Sequence, residues 1–501
     1  MDLMYQSTRG GEKNITASQA ILKGLADDGG LFMPVEIPKL AVPLEKLADM
    51  SYQDTAYEVM KLFFTDFTEE ELRSCIERAY DSKFDTEEIA PLAKADGMYF
   101  LELYHGSTIA FKDMALSILP HLMTVSAKKN HADKKIVILT ATSGDTGKAA
   151  MAGFADVEGT EIIVFYPKGG VSPMQERQMR TQTGKNTHVA AIHGNFDDAQ
   201  TGVKKIFGDK EFEKKLAERG YQLSSANSIN IGRLVPQVVY YVYAYAKLLK
   251  NEEIKAGEKI NVTVPTGNFG NILAGYFAKQ MGLPIDKLIC ASNENKVLYD
   301  FFTTGTYDKN REFILTNSPS MDILVSSNLE RLIYLSAGCD AKKTRALMEE
   351  LSADGKYTVT DEMRAKMADF RGGYATQEED GAMIRKLFED TGYVIDTHTG
   401  VAAAVYQKYA QESKDQTKTV IVSTASPYKF SRSVMEALGY KDTVGSHTLD
   451  DLSEFEIVDE LSAKTGLPIP KAVEDIRFAA YLHDDECDVD KMEETVSVLL
   501  K

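Results

Sequence analysis

The sequence predicts an α/β fold built on a parallel β-sheet. From Met98 onward, short runs rich in β-branched and aromatic residues alternate with longer segments of helical periodicity. These runs are almost continuously apolar, which is typical of strands buried on both faces of a parallel sheet. The predicted strands are 98–104, 136–142, 161–166, 187–192, 259–264, 287–291 and 419–423.

Helical segments are predicted before, within and after this α/β unit. The residues before 92 have the apolar spacing of amphipathic helices, most clearly at 52–80. Residues 340–390 are charged and are interrupted by Arg371-Gly372-Gly373, so we predict a helical insertion there. The last segment carries Gly466-Leu467-Pro468-Ile469-Pro470 between helical patterns, which predicts a helical extension.

Composition argues against several classes of partner. The formal net charge of -18 gives an acidic surface that repels nucleic acid and anionic lipid, so neither is predicted as a partner. The most apolar run, 234–246, is too short for a membrane span, and the N-terminus lacks the layout of a signal peptide. Cys75, Cys290, Cys339 and Cys487 lie far apart, which suits neither a zinc site nor a disulfide framework and predicts a cytoplasmic protein. The histidines also lack ligand spacing, so we predict no metal.

Lys112 follows the loop after the first predicted strand, at the start of a helix predicted over 114–123. The positive end of the helix dipole and the apolar neighbours disfavour an ammonium group, so both would lower the pKa of this lysine. A neutral amine can form a Schiff base with a carbonyl compound. Taken alone, Lys112 has an alternative interpretation, which is an ordinary lysine whose amine reaches solvent.

Two glycine-rich loops also follow predicted strands and begin helices, where backbone N–H groups favour anions. The first is Ser143-Gly144-Asp145-Thr146-Gly147-Lys148; a nucleotide-hydrolase loop would need Gly and Ser or Thr where the chain has Thr142 and Ala149. The second is Gly267-Asn268-Phe269-Gly270-Asn271, before a helix predicted over 272–281. Thr424 ends a further strand, and its hydroxyl faces either a heteroaromatic nitrogen or solvent. Each loop alone is explained by a simple turn, but with Lys112 they suit a cofactor that has a carbonyl and a phosphate.

Four ordered motifs resemble the threonine synthase family, in the longer form found in bacteria and fungi. They are His-Gly-Ser-Thr-x-x-Phe-Lys-Asp (105–113), Thr-Ala-Thr-Ser-Gly-Asp-Thr-Gly (140–147), Ala-Asn-Ser-Ile-Asn-Ile-Gly-Arg (226–233) and Pro-Thr-Gly-Asn-Phe-Gly-Asn (265–271). Tyr5, residues 7–10 and residues 27–34 resemble that form's N-terminal domain, so the similarity runs from residue 5 to residues 466–470. Two positions depart from the family: Ser107 stands where Pro is frequent, and Ser426 where His is common. A serine cannot replace an imidazole in proton transfer.

The resemblance implies a fold-type II pyridoxal-phosphate enzyme, similar in fold to the tryptophan synthase β chain. The cofactor would lie between two doubly wound α/β domains. We therefore divide the chain into an N-terminal domain (1–92), a catalytic α/β unit of two subdomains with an insertion at about 340–390 (93–445), and a C-terminal helical extension (446–501).

The resemblance also implies roles for the residues of these motifs. Lys112 would form the Schiff base with pyridoxal 5'-phosphate and serve as acid and base. The residues that would bind the cofactor phosphate and the ring nitrogen are Gly267, Asn268, Phe269, Gly270 and Asn271, with Thr424 at the nitrogen. The residues that would receive the substrate carboxylate or flank the ring hydroxyl are Ser143, Gly144, Asp145 and Thr146. The candidates for the substrate phosphate are Asn227, Ser228, Asn230 and Arg233.

The activity implied by the resemblance is conversion of the small molecule O-phospho-L-homoserine, with water, to L-threonine and phosphate, the last step of threonine biosynthesis. The enzyme would act as a monomer or homodimer. Two alternatives use similar cofactor chemistry: a phosphoserine or phosphothreonine lyase, and a serine or threonine dehydratase. A catalytically silent protein that binds a phosphate ligand is the non-enzyme alternative, against which Lys112 argues.

Overall fold

The computed structural model describes residues 2–142, 144–440 and 448–500. These residues form a six-stranded and a five-stranded sheet, together with two small two-stranded sheets. The strands are β1 (Tyr5–Ser7), β2 (Phe32–Pro34), β3 (Leu92–Ala95), β4 (Met98–Glu102), β5 (Lys135–Ala141), β6 (Thr160–Pro167), β7 (Thr187–His193), β8 (Tyr221–Ser224), β9 (Ile260–Pro265), β10 (Ile285–Ser292), β11 (Thr306–Asp308), β12 (Lys356–Thr358), β13 (Phe370–Tyr374), β14 (Thr419–Ser423) and β15 (Asp485–Asp488).

Helices precede, connect and follow these strands. Those of the first half are α1 (Ala17–Lys23), α2 (Leu44–Leu47), α3 (Tyr52–Phe63), α4 (Glu69–Ala79), α5 (Asp113–Leu116), α6 (Leu119–Lys129), α7 (Asp145–Phe154), α8 (Pro173–Arg180), α9 (Phe196–Gly208), α10 (Lys210–Glu218) and α11 (Ile231–Lys250). Those of the second half are α12 (Gly270–Gln280), α13 (Val297–Thr304), α14 (Leu329–Ser336), α15 (Ala341–Asp354), α16 (Asp361–Lys366), α17 (Gln377–Thr391), α18 (Thr397–Ser413), α19 (Ser431–Ala437), α20 (Glu454–Thr465), α21 (Lys471–Arg477) and α22 (Met492–Leu499).

The six-stranded sheet has the order β13-β10-β9-β14-β4-β3. Neighbouring strands are parallel except β3 and β4, which form an antiparallel pair at one edge. β9 and β14 are buried at every residue, as expected for central strands of a covered parallel sheet. The strands predicted at 98–104, 259–264, 287–291 and 419–423 are confirmed.

The five-stranded sheet has the order β15-β7-β6-β5-β8 and is parallel throughout. It confirms the strands predicted at 136–142, 161–166 and 187–192. The structure therefore confirms the α/β class and adds β8, which the sequence analysis did not predict. The amphipathic pattern at 52–80 is likewise confirmed as helices α3 and α4.

The long helix α11 is buried on nearly all sides and contains the most apolar run of the sequence. It packs against α3 of the N-terminal segment, where the rings of Tyr52 and Tyr243 lie 5.1 Å apart, and against α12 of the α/β unit. A helix that is apolar all round belongs in a core. α11 therefore joins the N-terminal helices to the rest of the protein.

The helix predicted over 114–123 is wrong as a single element. The chain forms the short helix α5, turns at Ser117 and Ile118, and begins α6 at Leu119. Pro120 lies in the first turn of α6. Proline has no N–H for the carbonyl of Leu116 and its ring clashes with that carbonyl, so a continuous helix cannot pass this point.

The predicted helical insertion at 340–390 is only partly correct. Helices α15, α16 and α17 lie there, but Phe370–Tyr374 forms β13, the edge strand that pairs in parallel with β10. The two glycines within β13 do not interrupt the structure. A Cβ at Gly373 would lie 2.4 Å from Val405 of α18, and one at Gly372 would lie 3.2 Å from the backbone of Tyr299 in α13. Glycine is therefore needed so that both helices can approach the strand.

The predicted helical extension also contains a strand. Helices α20, α21 and α22 follow the prediction, but Asp485–Asp488 forms β15 beside β7. The predicted boundary between residues 445 and 446 lies outside the described residues, and the division into three domains stays a prediction. Within the described part of the chain, no helix is long and apolar enough to cross a membrane.

The contact between α5 and α7 gives a prediction for stability. A Cβ at Gly153 of α7 would lie 2.1 Å from the carbonyl oxygen of Leu116 in α5. Gly153→Ala should therefore push the two helices apart and lower the free energy of unfolding by about 1–3 kcal/mol. Gly208→Ala is the matched control, because a Cβ at this exposed helix end meets open space. Thermal melting of both variants is the measurement, and equal melting temperatures would contradict the prediction.

Candidate active site

The loops after β4, β5, β9 and β14 meet at the carboxyl ends of the two large sheets. The carbonyl of Thr424, after β14, accepts a hydrogen bond (2.8 Å) from the backbone N–H of the residue before Lys112. Lys112 Nζ lies 3.8 Å from Oδ2 of Asp145, which follows β5. The Ser320 hydroxyl donates to Asp145 (3.1 Å), and the Ser320 carbonyl lies 2.7 Å from where a Cβ of Gly267, after β9, would stand. Ligands in α/β sheets bind at such strand ends.

A buried carboxylate fixes the turn that presents Lys112. Asp113 accepts hydrogen bonds from the backbone N–H (2.8 Å) and the hydroxyl (2.7 Å) of Thr108. Gly106 packs on the same side chain, because a Cβ there would lie 2.6 Å from Asp113. Ile109 has a left-handed backbone (φ 53°), which is strained for a β-branched residue. Strain of this kind persists only where the surroundings fix the conformation, so the turn holds Lys112 in place.

The side chain of Lys112 is only 15% exposed. Burial lowers its pKa, and the positive charges of Lys429 and Arg233 act in the same direction, whereas Asp145 and Asp113 oppose them. The predicted direction is therefore confirmed. Its main cause is burial, since α5 has four residues and offers only a short helix dipole.

Asp145 begins α7 and is bonded on both carboxylate oxygens. Oδ1 lies 3.2 Å from Lys429 Nζ and accepts a hydrogen bond from Gln175 (3.1 Å). Oδ2 accepts from Ser320 and faces Lys112. Burial acts to raise the pKa of Asp145, but Lys429 and Lys112 together hold it well below its usual range. Asp145 is therefore a carboxylate near neutral pH.

The loop before Asp145 is shaped by one hydroxyl. Thr142 Oγ1 accepts hydrogen bonds from the backbone N–H groups of Gly144 and Gly147, both at 3.0 Å. Gly144 has a φ of 136°, which is a glycine conformation. Thr146 is half-buried, and Ser143 lies outside the described residues.

Lys148, which follows this loop, donates to Gln182 (2.5 Å). Burial lowers the pKa of Lys148 to about 7. A nucleotide-hydrolase loop would instead use this lysine to bind phosphate beside its own glycines. The position of Lys148 agrees with the sequence argument against such a loop.

The second glycine-rich loop leads into α12, which begins at Gly270 after Phe269 in a left-handed conformation (φ 67°). The first N–H groups of a helix have no partner within the helix and favour an anion. The carbonyl of Asn268 accepts a hydrogen bond from the backbone of Asn328 (3.0 Å), which fixes the loop from behind. Asn268 and Gly270 therefore lie in a rigid turn at a helix start, as predicted.

One side-chain donor of Asn271, in the first turn of α12, is left without a partner among the described residues. Tyr240 and Tyr241 both donate to Asn271 Oδ1, at 2.7 and 2.5 Å. Its Nδ2 is buried and has no hydrogen-bond partner among the described residues. A buried unpaired donor is costly. A bound acceptor at this loop would remove that cost.

Thr424 and Ser426, which follow β14, have different structural roles. Thr424 is buried, and its backbone is fixed against the Lys112 turn. Ser426, at the position where the family commonly has His, accepts a hydrogen bond from the backbone N–H of Tyr428 (3.3 Å) and so caps the short 3₁₀ turn Pro427–Phe430. The hydroxyl of Ser426 therefore stabilises the turn.

The four residues predicted to bind the substrate phosphate differ in how far their side chains are already bonded within the protein. Asn230 caps α11 and donates to the carbonyl of Ile21 (2.9 Å), so its buried amide joins two helices and is not positioned as a free ligand group. Arg233 is also buried, but it donates only to the carbonyl of Ala226 (2.9 Å), and its Nε has no partner among the described residues. Burial lowers the pKa of Arg233 to about 10. A buried guanidinium without a carboxylate partner is suited to an anionic ligand. Asn227 is exposed and Ser228 is half-buried.

The sequence analysis missed Lys429, whose side chain is 0% exposed. Its Nζ contacts Asp145 and donates to Gln178 (2.9 Å) and to the carbonyl of Thr108 (3.1 Å). A lysine two residues after Pro427 has no pattern that separates it from a surface lysine. The only signal is its place after a predicted strand.

A buried His–Asp pair was also missed. His398 Nδ1 contacts Asp396 Oδ2 (2.8 Å), and Nε2 accepts a hydrogen bond from the backbone N–H of Ser320 (3.1 Å). Since Nε2 accepts, the proton of a neutral ring lies on Nδ1. The pair fixes Ser320, and Ser320 in turn bonds Asp145. The Asp-x-His spacing at the start of α18 was a weak signal for it.

Arg331 connects three segments behind the site. It is fully buried and donates to the carbonyls of Phe32 (3.1 Å) and Ile229 (2.5 Å) and to the side chain of Asn328. Asn328 bonds the Asn268 carbonyl as described above. The N-terminal segment, the 226–233 loop and the glycine-rich loop are therefore held together by one guanidinium.

These groups define what the site can do. Lys112 offers an amine that is easily neutral, Asn271 and the start of α12 offer donors to one anion, and Arg233 offers donors to another. Amine chemistry on a ligand with a carbonyl and anionic groups suits this arrangement. Among the described residues no group of three potential metal ligands occurs.

Comparison with protein families gives consistent matches along the chain. The model described as threonine synthase N terminus matches residues 4–80. The model of pyridoxal-phosphate dependent enzymes matches residues 85–425, and the model described as threonine synthase, C-terminal, matches residues 399–464.

Individual proteins agree with these matches. A threonine synthase of Schizosaccharomyces pombe is 40% identical over 471 residues, which cover 87% of this chain and 90% of that protein. The structure of a PLP-bound threonine synthase from Brucella melitensis has a TM-score of 0.87 at 34% identity and covers 100% of both chains. A threonine synthase structure from yeast also has a TM-score of 0.87, at 32% identity, covering 100% of this chain and 99% of that one.

The lowered pKa of Lys112 predicts its reactivity in the cofactor-free protein. An amine with a lowered pKa becomes neutral, and so reacts with formaldehyde under reductive conditions, at a lower pH than other lysines. Lys210 is the comparison, because it is exposed and its ion pair with Glu213 raises its pKa. Mass spectrometry of peptides methylated across a pH series measures both midpoints. A Lys112 midpoint at or above that of Lys210 would be inconsistent with the site.

Proposed function

Since this chain belongs to the threonine synthase family of pyridoxal-phosphate-dependent enzymes, we propose that it converts O-phospho-L-homoserine and water to L-threonine and phosphate. The observation that carries this proposal is the buried amine of Lys112, 3.8 Å from Asp145 at the junction of the two sheets. The unpaired donors of Asn271 and Arg233 supply the two anion positions that a phosphorylated cofactor and a phosphorylated substrate require.

The residues present fit the cofactor. The free Nδ2 of Asn271 and the N–H groups at the start of α12 suit its phosphate, and Gly267 to Asn271 would hold that group. The absence of a Cβ at Gly267 is required by the Ser320 carbonyl, so this backbone can lie close to its neighbours. Lys112 would bind the carbonyl carbon, and Thr424 would meet the ring nitrogen.

Lys112 would move the protons of the reaction. When bound, pyridoxal phosphate supplies a carbonyl that binds the substrate amine and a ring that delocalises the electrons left at Cα. The Lys112 Nζ takes the Cα proton, which it can do because its lowered pKa favours the neutral amine. The ionised Asp145 then stabilises the ammonium that forms.

The loop 143–146 would bind the substrate carboxylate through the Thr146 hydroxyl and the backbone N–H groups of Asp145 and Thr146, since the N–H of Gly144 already donates to Thr142. Asp145 is not suited to receive a carboxylate itself, because it is ionised and like charges repel. Asp145 would therefore lie beside Lys112 and flank the ring hydroxyl of the cofactor.

Arg233 would bind the substrate phosphate, assisted by Asn227 and Ser228. A buried guanidinium pairs strongly with phosphate because it is already desolvated and presents its N–H donors in a fixed planar geometry. Its fixed position would also retain the phosphate after it leaves Cγ.

We further propose that the enzyme acts as a monomer or homodimer in the cytoplasm, a location supported by the free thiols of its cysteines.

Lys112→Ala should lower turnover by about 1,000-fold or more, because both the cofactor link and the acid–base group are lost. The measurement is release of phosphate and threonine from O-phospho-L-homoserine, together with the visible spectrum of the purified protein. Lys210→Ala, at an exposed site, should keep wild-type rates. Equal release of both products by wild type supports the proposal. Release of a keto acid and ammonia instead of threonine would contradict it.

Arg233→Met should weaken binding of the phosphate group without removing the amine chemistry. Loss of a charged hydrogen bond costs about 1.5–3 kcal/mol, or about 10- to 100-fold in kcat/KM. The inhibition constant of inorganic phosphate should rise in parallel. Arg219→Met, on α10's exposed C-terminal side, is the control. An unchanged phosphate inhibition constant in Arg233→Met would exclude this residue from the phosphate site.

A further inference from the structure

Lys429 is a second buried lysine beside Lys112. It lies in the 3₁₀ turn after β14, and its side chain is 0% exposed. Among the described residues its Nζ has three polar contacts: Asp145 Oδ1 (3.2 Å), Gln178 Oε1 (2.9 Å) and the Thr108 carbonyl (3.1 Å). An ammonium has three N–H donors, so each donor has an acceptor. This is a complete coordination for a charged lysine and leaves no donor for a substrate.

Asp145 is shared by the two lysines. Lys429 is nearer, at 3.2 Å, than Lys112, at 3.8 Å. If Asp145 paired with Lys112 alone, it would favour the ammonium form of Lys112. An ammonium cannot act as a base or bind a carbonyl. The position of Lys429 weakens that effect, because Lys429 pairs with Asp145 at the shorter distance and its own positive charge also lowers the pKa of Lys112.

Two hydrogen bonds also hold the carboxylate at its distance of 3.8 Å from Lys112. Gln175 donates to Oδ1, and the Ser320 hydroxyl donates to Oδ2. Ser320 is itself fixed by its backbone hydrogen bond to His398, which Asp396 orients. The separation between Asp145 and Lys112 is therefore set by bonds that do not involve Lys112.

Charged or titratable groups around Lys112 and its neighbours Asp113 and Asp145 come from several elements. Asp113 belongs to α5, Asp145 and Lys148 to α7, Arg233 to α11 and His398 to α18. Asp113 is bonded to Thr108, Lys148 to Gln182, and His398 to Asp396. Within the part of the chain that the structure describes, Asp145 is thus the carboxylate nearest to the Lys112 amine, and Lys429 is the cation that lies nearest to Asp145.

We propose that Lys429 is a positioning residue for the reaction at Lys112: it binds Asp145 and thereby leaves Lys112 without a full counter-ion. This inference deepens the proposed function and rests on it for its catalytic meaning. The electrostatic effect that we infer involves only Lys112, Lys429 and Asp145, and it is present in the cofactor-free protein. It can therefore be tested without substrate.

The test compares Lys429→Met, Lys429→Arg and the double variant Lys429→Met/Asp145→Asn. In each cofactor-free protein, the pH midpoint of Lys112 methylation by formaldehyde is measured by mass spectrometry. Lys429→Met should raise the midpoint by about one to three pH units, because Asp145 then acts on Lys112 alone. Lys429→Arg keeps the charge and should stay near wild type. The double variant should return toward the wild-type midpoint, because the carboxylate is gone.

Lys148→Met is the matched control, since Lys148 is an equally buried lysine that bonds Gln182. Its midpoint should stay near wild type. Equal midpoints for Lys429→Met and wild type, equal shifts for Lys429→Arg and Lys429→Met, or a double variant that stays shifted would each overturn the inference. If the midpoints behave as expected but wild type makes no threonine, the positioning role stands and the proposed reaction fails.

Discussion

The buried carboxylate of Asp145 is the contact on which the arrangement of the site depends. It follows β5 of one sheet, whereas its partners Lys112 and Lys429 follow β4 and β14 of the other. A buried ion pair is costly to desolvate and is favourable only where its remaining hydrogen bonds are satisfied. Gln175 and Ser320 satisfy them here. The two sheets are thereby aligned at the point where the chemistry takes place.

The same region contains groups that the protein leaves unsatisfied. The Nε of Arg233 and the Nδ2 of Asn271 are buried without partners among the described residues. Each unpaired donor reduces the stability of the ligand-free protein. Ligands that pair with these donors in the folded protein stabilise it, by an amount that grows with the ratio of ligand concentration to dissociation constant. Binding and stability are therefore coupled at this site, as expected where a site is formed before its ligand arrives.

Local sequence patterns predicted the parallel strands and the three loops, because buried strands and glycine-rich helix starts have short, regular signatures. They did not predict β13 or β15, whose sequences have weak strand propensity and form strands only through tertiary pairing. Lys429 and His398 could not be assigned for a related reason. Their roles come from Asp145 and Ser320, which are distant in sequence, and no local pattern encodes such contacts. The sequence predicted that the pKa of Lys112 is lowered. The main cause is burial of the side chain, and only the fold shows how far it is buried.

The strand order has a consequence for synthesis of the chain. β14 lies between β9 and β4, and β15 lies beside β7, so each sheet takes a strand from the last part of the sequence. During translation β4 and β9 leave the ribosome long before the strand that joins them. Strand edges that wait unpaired can pair wrongly with other chains. A nascent chain that stalls before residue 419 therefore presents open edges in both sheets, and is a natural client for chaperones that shield such edges.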